Sequence, residues 1–477
     1  MTGRTAEAVA LDAASHPRSR TAPVRIVHLG LGAFHRAHLA WYTDRADPAR
    51  EWGIAAFTGR RPDAALVLGA QDGLYTLVER GPDGDRFEVI ESLVEARDGA
   101  DVARLRELLA RPEVAIVSLT ITEPAYLVTA DGRLDTGSPE VSDDIARVSS
   151  VLAGDASPAP STMPGRLVAG LAARRDADVG GLSVVSCDNL SRNGQVTRAA
   201  VLGMAEEVDP DLRAWIEREI AFVDTSVDRI TPRTTDDDVE LVQQATQLHD
   251  RSPVVTEPFR SWVLAGEFPA GRPSWEDAGA VFVDDIEPFE RRKLWLLNAA
   301  HSLLAYSGIA RGHATVAEAL ADADCARWVE ELWDEAAGLL RDPALDLDRY
   351  RADLRDRFAN ARIAHHLTQI AEDGTAKLRA RAVPVLRGER EAGRSGAAAA
   401  RLIAAWMDHV AGSADPAQLP DARRDDIADA LAAPGEERTV RLLALLDTAL
   451  ADDAEVVALI EERSRELHAA AGTEGTR

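Results

Sequence analysis

Apolar residues in the first part of the chain come in short runs that alternate with stretches of helical spacing. The run Val24–Leu29 ends on Gly30-Leu31-Gly32 and is followed by helix-like residues 33–42. That order predicts a strand, a glycine-rich turn and a helix. Further apolar runs at 53–58, 114–122 and 181–186 alternate with helical patterns such as 101–110 and 164–173. Such alternation indicates a mostly parallel sheet with helices on its faces. Residues 75–80 and 87–96 flank Gly-Pro-Asp-Gly-Asp-Arg and read as a hairpin inserted into the series.

From about Pro288 the strand-like runs stop, and Ala, Leu, Arg and Glu recur with helical periodicity as far as a Gly-rich polar tail. The expected architecture is an α/β Rossmann-type N-terminal domain with insertions followed by a mostly α-helical C-terminal domain. The expected boundaries are an extension over 1–22, the dinucleotide-binding domain over 23–287 and the helical domain over 288–477. A chain of 477 residues is too long for one small core, which agrees with two domains. No period of 20 to 50 residues marks it as a repeat protein.

Within the helical part, Lys293-Leu-Trp-Leu-Leu-Asn298-Ala-Ala-His301-Ser-Leu-Leu304 is apolar nearly all round, as expected of a buried helix. At α-helical spacing Asn298 lies roughly 140° and His301 roughly 80° around the axis from Lys293, so the three can project to one side. Composition sharpens the point. Of the 54 Lys and Arg residues only Lys293 and Lys377 are lysines. Lysine can release its proton when desolvated and guanidinium effectively cannot, so Lys293 is a candidate proton-transfer group. The plain alternative is a core helix with satisfied polar groups, in a chain whose lysines were lost through base composition.

The net charge of −26 opposes non-specific binding to nucleic acid or anionic membrane and leaves room for a local basic pocket. Cys187 and Cys325 cannot form a disulfide framework, and neither has zinc-site spacing. No signal-like or membrane-length apolar run is present. A cytoplasmic location is expected, with a small-molecule substrate, no nucleic acid or membrane partner, and no metal.

The Gly30-x-Gly32 turn can bring backbone N–H groups and a helix N-terminus against a pyrophosphate, which makes Gly30, Leu31, Gly32, Ala33, Phe34 and His35 candidate cofactor-binding residues. His35 stands where the common fingerprint has a third glycine. The second strand runs into Thr58-Gly59-Arg60-Arg61 with no carboxylate for a ribose 2′-hydroxyl, so Arg60 or Arg61 is a candidate for a 2′-phosphate. Both could equally be solvated loop charges. Asn189 and Asn193 close a buried strand where α/β sheets present their ligand crevice, and an uncharged amide there can donate to a developing alkoxide. Asx-turn or capping chemistry is the competing explanation for at least one of them.

The glycine-rich turn, the Cys187-Asp188-Asn189 strand end and the Lys-x4-Asn-x2-His helix occur in the order found in the mannitol dehydrogenase family of long-chain polyol dehydrogenases, which this chain resembles. That family includes fructuronate and tagaturonate reductases. Matching blocks span 26–38, 118–126, 186–194, 227–232, 256–275 and 288–301, and His35 is part of the family's own pattern. The resemblance implies metal-independent hydride transfer between C2 of a sugar derivative and NAD, with NADP possible. It implies Lys293 as general base, Asn189 and Asn298 as oxyanion donors and His301 as the group that orients the substrate oxygen. Glu290 would carry the proton toward solvent, and Asp228 would contact substrate hydroxyls.

Lys377 falls in a block resembling the family's Asp-Gly-Ser-x-Lys, with Thr375 for the serine, near the distal end of the substrate. Gln369 takes a position that is arginine in typical mannitol 2-dehydrogenases, whereas fructuronate reductases more often have Gln-Ile-Ala there. This tilts the expected substrate to a D-mannonate/D-fructuronate pair, with mannitol or D-arabinitol dehydrogenation as the alternative. Pro124-Ala125 replaces the family's usual Lys-Gly, and Leu378-Arg379 its Leu-Pro. A phosphorylated substrate would need a basic cluster at Lys293, for which Arg229, Arg233 and Arg362 are candidates. A nucleotide-sensing protein on the same scaffold would need the glycine turn without the proton-transfer set. A monomer is expected, since the family needs no dimer to complete its site.

Overall fold

The computed structural model describes residues 8–155, 158–363 and 365–472. The chain forms two compact units, Met1–Ile286 and Glu287–Arg477. Among the described residues no helix is long and apolar enough to cross a membrane.

The N-terminal unit is built on an eight-stranded sheet. Its spatial order is Val281–Phe282, Ser261–Ala265, Ala221–Asp228, Ser183–Ser186, Ile116–Leu119, Val24–Leu29, Gly53–Phe57 and Leu93–Arg97. The six strands from Ala221–Asp228 to Leu93–Arg97 run parallel, and Ser261–Ala265 is antiparallel to Ala221–Asp228. Alternate residues of the central strands feed two apolar layers: Val27, Leu29 and Val117 one, Ile26, Ile54 and Ile116 the other. Burial on both faces explains why these strands read as continuous apolar runs. The chain leaves Val24–Leu29 to one side for Gly53–Phe57 and returns on the other for Ile116–Leu119, so the order reverses at the ends of the central pair. Ligand crevices of open α/β sheets form at such a point.

Three features of this unit depart from the sequence reading. Residues 87–96 are not one strand. Gly84–Ile90 pairs with Tyr75–Gly81 in a separate three-stranded sheet, while Leu93–Arg97 joins the main sheet beside Gly53–Phe57. The bend lies at Glu91 and Ser92, where Asp44 accepts the Glu91 N–H at 2.8 Å and the Ser92 hydroxyl donates to Ala40 O at 2.7 Å. The helix expected over 33–42 is broken at His38 (φ −115°, ψ −96°) into Ala33–Ala37 and Leu39–Ala46. The strands from Ala221 onward were not anticipated, because Ala221–Asp228 is only alternately buried and lacks a continuous apolar run.

The C-terminal unit is helical, with no strand among its described residues beyond an isolated bridge between Thr315 and His366. Ala299–Ala310 is buried along nearly its whole length and packs against Ala323–Leu339, Ala397–Ala411 and Leu367–Ile370.

His28, on the central strand, stacks on His35 with ring centroids 3.4 Å apart. Both are fully buried. Burial pushes His28 down to about 3, and burial, then His28, Arg36 and His38, holds His35 well below the usual imidazole range. The unfolded chain therefore takes up protons below about pH 6.5 that the folded chain cannot, and stability falls as pH falls through that value. The slope is up to about 1.4 kcal/mol per pH unit for each buried imidazole. Urea unfolding of the N-terminal unit is expected to show a lower midpoint at about pH 5.5 than at about pH 7.5; equal midpoints would show that the pair accepts protons in place.

Candidate active site

In the N-terminal unit a cavity of about 500 Å³ opens at the carboxyl ends of the parallel strands. Gly30, Gly32, Ala33, Phe34 and His35 line one side, Thr120 to Glu123 a second, and Cys187 to Leu190 with Val227 a third. Each wall is the segment where a strand ends, so the sheet itself positions the site.

Gly30 has φ +109°, and a Cβ there would come within 2.1 Å of Thr120 O. Only glycine allows that approach. A Cβ on Gly32 would meet nothing of the protein closer than Gly30 O at 3.6 Å. The protein does not require that second glycine for its own packing, which fits a backbone left bare for a ligand. Gly32 also caps the helix Ala33–Ala37 without a side-chain bond, and first-turn N–H groups have no partner in the preceding turn. Leu31 points into the apolar core, and its N–H, like that of Gly30, goes to Phe57 O at 2.9 Å. Neither nitrogen of the buried His35 ring has a partner among the described residues. These features fit a dinucleotide.

Arg60 is exposed just beyond the second strand, and Arg61 makes a solvent-exposed pair with Asp63 at 3.6 Å. A further guanidinium serves the same strand end: Arg166 Nη1 donates to Gly59 O at 3.3 Å. Burial pushes its pKa down. Nothing near Arg60 in sequence points to Arg166, which comes from the helix Met163–Asp176.

The two asparagines of the strand end have different fates. Asn193 is buried and used by the fold: its amide donates to Thr225 O at 3.0 Å and to Asp188 O at 3.2 Å, while its oxygen accepts from Thr225 N at 2.8 Å. Asn189 is exposed on the cavity wall. Beside it, Tyr126 donates to Asp188, which anchors the turn Glu123–Tyr126 where Pro124 takes an early helical position suited to its fixed φ. Asp228 is half-buried at the end of Ala221–Asp228. Arg229 faces away from this role: its buried guanidinium donates to Ala37 O at 2.5 Å and Glu257 O at 3.2 Å and pairs with Glu79 at 3.2 Å.

In the C-terminal unit Lys293, Asn298 and His301 lie on one continuous helical rod, but it is not a regular α-helix. Glu287–Arg292 is α, Lys293–Asn298 is π, and Ala299–Ala310 is α again. The Ala299 N–H reaches back five residues to Leu294 O. The α-helical angles expected from sequence are therefore superseded: with bonds closing five residues apart, Asn298 sits one wide turn from Lys293 on the same side. Trp295, Leu296 and Leu297 are buried, while Lys293 and Asn298 are half-buried. Glu290 is buried, three residues before Lys293.

His301 packs on Phe358 and His365, with ring centroids at 4.6 and 4.8 Å. Burial, then the charges of His365, Arg357 and Arg381, hold it well below the usual imidazole range. Its Nε2 is buried with no partner among the described residues. A neutral ring with an unused nitrogen can exchange a hydrogen bond with a substrate oxygen without adding charge.

Lys377 is half-buried on the helix Gly374–Arg381 and donates to Ile370 O at 3.1 Å, one residue from the exposed Gln369. Burial, then Arg381, lowers its pKa. Gly374 is required because a Cβ would lie 2.4 Å from Trp406 Nε1. Thr375 donates to Asp421 at 2.6 Å through its hydroxyl, so a threonine serves as a serine would. Among the described residues no group of three or more His, Cys, Asp or Glu side chains is placed to hold a metal ion.

Two family descriptions match this chain: the mannitol dehydrogenase Rossmann domain over residues 24–277 and the mannitol dehydrogenase C-terminal domain over 285–468. The D-mannonate oxidoreductase of Escherichia coli K12 is 37% identical over 401 residues, 81% of this chain and 80% of that one. The D-arabinitol 4-dehydrogenase of Ralstonia nicotianae is also 37% identical, over 422 residues, 86% of this chain and 88% of that one. The structure of Pseudomonas fluorescens mannitol 2-dehydrogenase in a ternary complex with NAD and D-mannitol is 34% identical, with a TM-score of 0.77, over 98% of this chain and 96% of that one. The two descriptions together account for nearly the whole chain, and this protein belongs to the mannitol dehydrogenase family.

Proposed function

We propose that this oxidoreductase interconverts a 2-keto sugar acid and its C2 alcohol, with D-fructuronate and D-mannonate as the pair and NAD as cofactor. The nicotinamide, when bound, supplies or accepts the hydride. Lys293 takes the proton of the substrate hydroxyl on oxidation and returns it on reduction. Lys293 is half-buried, and an ammonium, unlike a guanidinium, can give up its proton. The Asn298 amide donates to the oxyanion, and the neutral His301 ring orients the same oxygen. Asn189 is the matching amide proposed in the N-terminal unit. Glu290 receives the proton from Lys293, and Asp228 accepts from substrate hydroxyls. Gly30, Gly32 and the turn up to His35 hold the cofactor's pyrophosphate.

The observation that carries the sugar-acid reading is the bond from Lys377 Nζ to Ile370 O, which fixes a desolvated ammonium beside Gln369. An ammonium held there suits a carboxylate terminus better than a hydroxymethyl group. A polyol or ketose substrate is the second reading, favoured by the 37% identity to the D-arabinitol enzyme, which equals that to the D-mannonate enzyme. NADP is an alternative cofactor through Arg60, with Arg166 at the same strand end.

Oxidation of NADH and of NADPH, followed by absorbance with fructuronate, tagaturonate, fructose and xylulose in separate assays, tests the proposal. Fast NADH-dependent turnover of fructuronate that survives a chelator is expected; preference for fructose or xylulose would replace the sugar acid with a ketose. Lys293→Ala should lower kcat by about 10²–10⁴-fold with nucleotide affinity retained. A variant that kept most of its rate would remove the general-base role. Lys377→Met should raise KM for fructuronate well above any effect on fructose, and equal effects on both would show that its charge does not read a carboxylate.

A further inference from the structure

A π-helical stretch is rare, and one of six residues at Lys293–Asn298 needs contacts that favour it over the α register. Two side chains from other helices supply them. Trp333 Nε1 donates to Leu296 O at 2.8 Å, and Arg381 Nη1 donates to Asn298 O at 3.2 Å and to Ser302 Oγ at 2.8 Å. Side-chain donors that reach into a helical hydrogen-bond ladder are a recognised cause of such local departures.

Arg381 is the less ordinary of the two. Burial pushes its guanidinium down to about 10, and among the described residues no carboxylate lies within ion-pair distance. An unneutralised, largely desolvated guanidinium is costly. Its surroundings give the reason for keeping it. It ends the helix Gly374–Arg381, four residues and one turn from Lys377, and its charge bears on Lys377, His301 and Tyr306. One side chain thus holds the Asn298 carbonyl and the Ser302 hydroxyl, and its charge reaches His301 and Lys377.

We propose that Arg381 is a positioning residue. It holds the Asn298 carbonyl and Ser302 in the widened register, which sets the Asn298 amide and the His301 ring relative to Lys293, and it ties the helix carrying Lys377 to that arrangement. The inference rests on the reading of Lys293, Asn298 and His301 as the proton-transfer and oxyanion groups. It adds a residue that acts through Asn298 and Ser302.

Arg381→Gln, Arg381→Lys and Ser302→Ala test it in the full-length protein. Arg381→Gln should lower kcat by about 10²-fold, with the KM for NADH changed less than about twofold. Arg381→Lys should restore part of kcat, because an ammonium can still donate to one of the two acceptors. Amide hydrogen exchange over 293–299 should accelerate in Arg381→Gln, and the His301 ring, faced by His365, Arg357 and Arg381, should titrate at higher pH by NMR once that charge is gone. A kcat within about threefold of the parent together with unchanged exchange would overturn the proposal. So would a loss of kcat matched by equal losses of NADH affinity and thermal midpoint, which marks general unfolding. Should Arg381→Gln fail to fold, Ser302→Ala removes one anchor and keeps the charge. A lower kcat at unchanged KM for NADH then supports the proposal, and unchanged kcat and exchange overturn it. If the parent turns over none of the sugars, the functional reading fails by itself, while hydrogen exchange and the His301 titration still decide the role of Arg381.

Discussion

Each backbone carbonyl withdrawn from water needs a donor, and a helix that changes register in mid-course must find donors outside itself. In the C-terminal unit this requirement organises much of what surrounds Lys293. Trp333 answers it from the helix Ala323–Leu339 and Arg381 from Gly374–Arg381. The placement of Arg381 depends in turn on how its own helix begins. Gly374 lets that helix start against the Trp406 indole, and Thr375 fixes the first turn on Asp421 through both its N–H and its hydroxyl. The same helix then delivers Lys377 on the Ile370 carbonyl. A chain of contacts from Trp406 to Asn298 thus fixes the second lysine of the protein as well as the neighbourhood of the first.

The N-terminal unit meets the same requirement at the ends of its strands. Phe57 O takes the N–H groups of both Gly30 and Leu31, which draws the glycine turn over the end of the second strand and leaves the next residues to face the cavity. Asn193 performs the equivalent task on the other wall by bonding both polar groups of Thr225 and the Asp188 carbonyl. The turn carrying Asn189 therefore hangs between two fixed points. Rigid strand ends with polar side chains projecting from the loops between them are a general way to place binding groups.

The parallel sheet and the glycine turn were legible because both-sided burial writes a continuous apolar run and a close backbone approach demands glycine. The helical character of the second unit was legible through periodicity over long stretches. Other features left no local trace. The register change at Lys293–Asn298 carries no proline or glycine, and its cause lies in Trp333 and Arg381, about 40 and 80 residues away in the chain. The split of 87–96 into two strands is marked in the sequence only by the consecutive polar pair Glu91-Ser92, and the bonds of those two residues to the helix Leu39–Ala46 reveal it. Arg229, named with Arg233 and Arg362 for the basic cluster a phosphorylated substrate would need, is a buried structural cation over Trp41. Asn189 and Asn193 follow the same strand four residues apart, and nothing local in the sequence shows that Asn193 is the one buried against Thr225.

The half-buried state of Lys293 and Lys377 also bears on how this protein meets reactive small molecules. Every other cationic side chain is an arginine, and neither lysine is exposed. Acyl phosphates, thioesters and open-chain sugars modify amines in water, and the side-chain amines they can meet here are two half-buried ones. Oxidation of a secondary alcohol yields a carbonyl, the kind of group that forms adducts with exposed amines. Here such damage is confined to two positions, both of them sheltered within the helical unit.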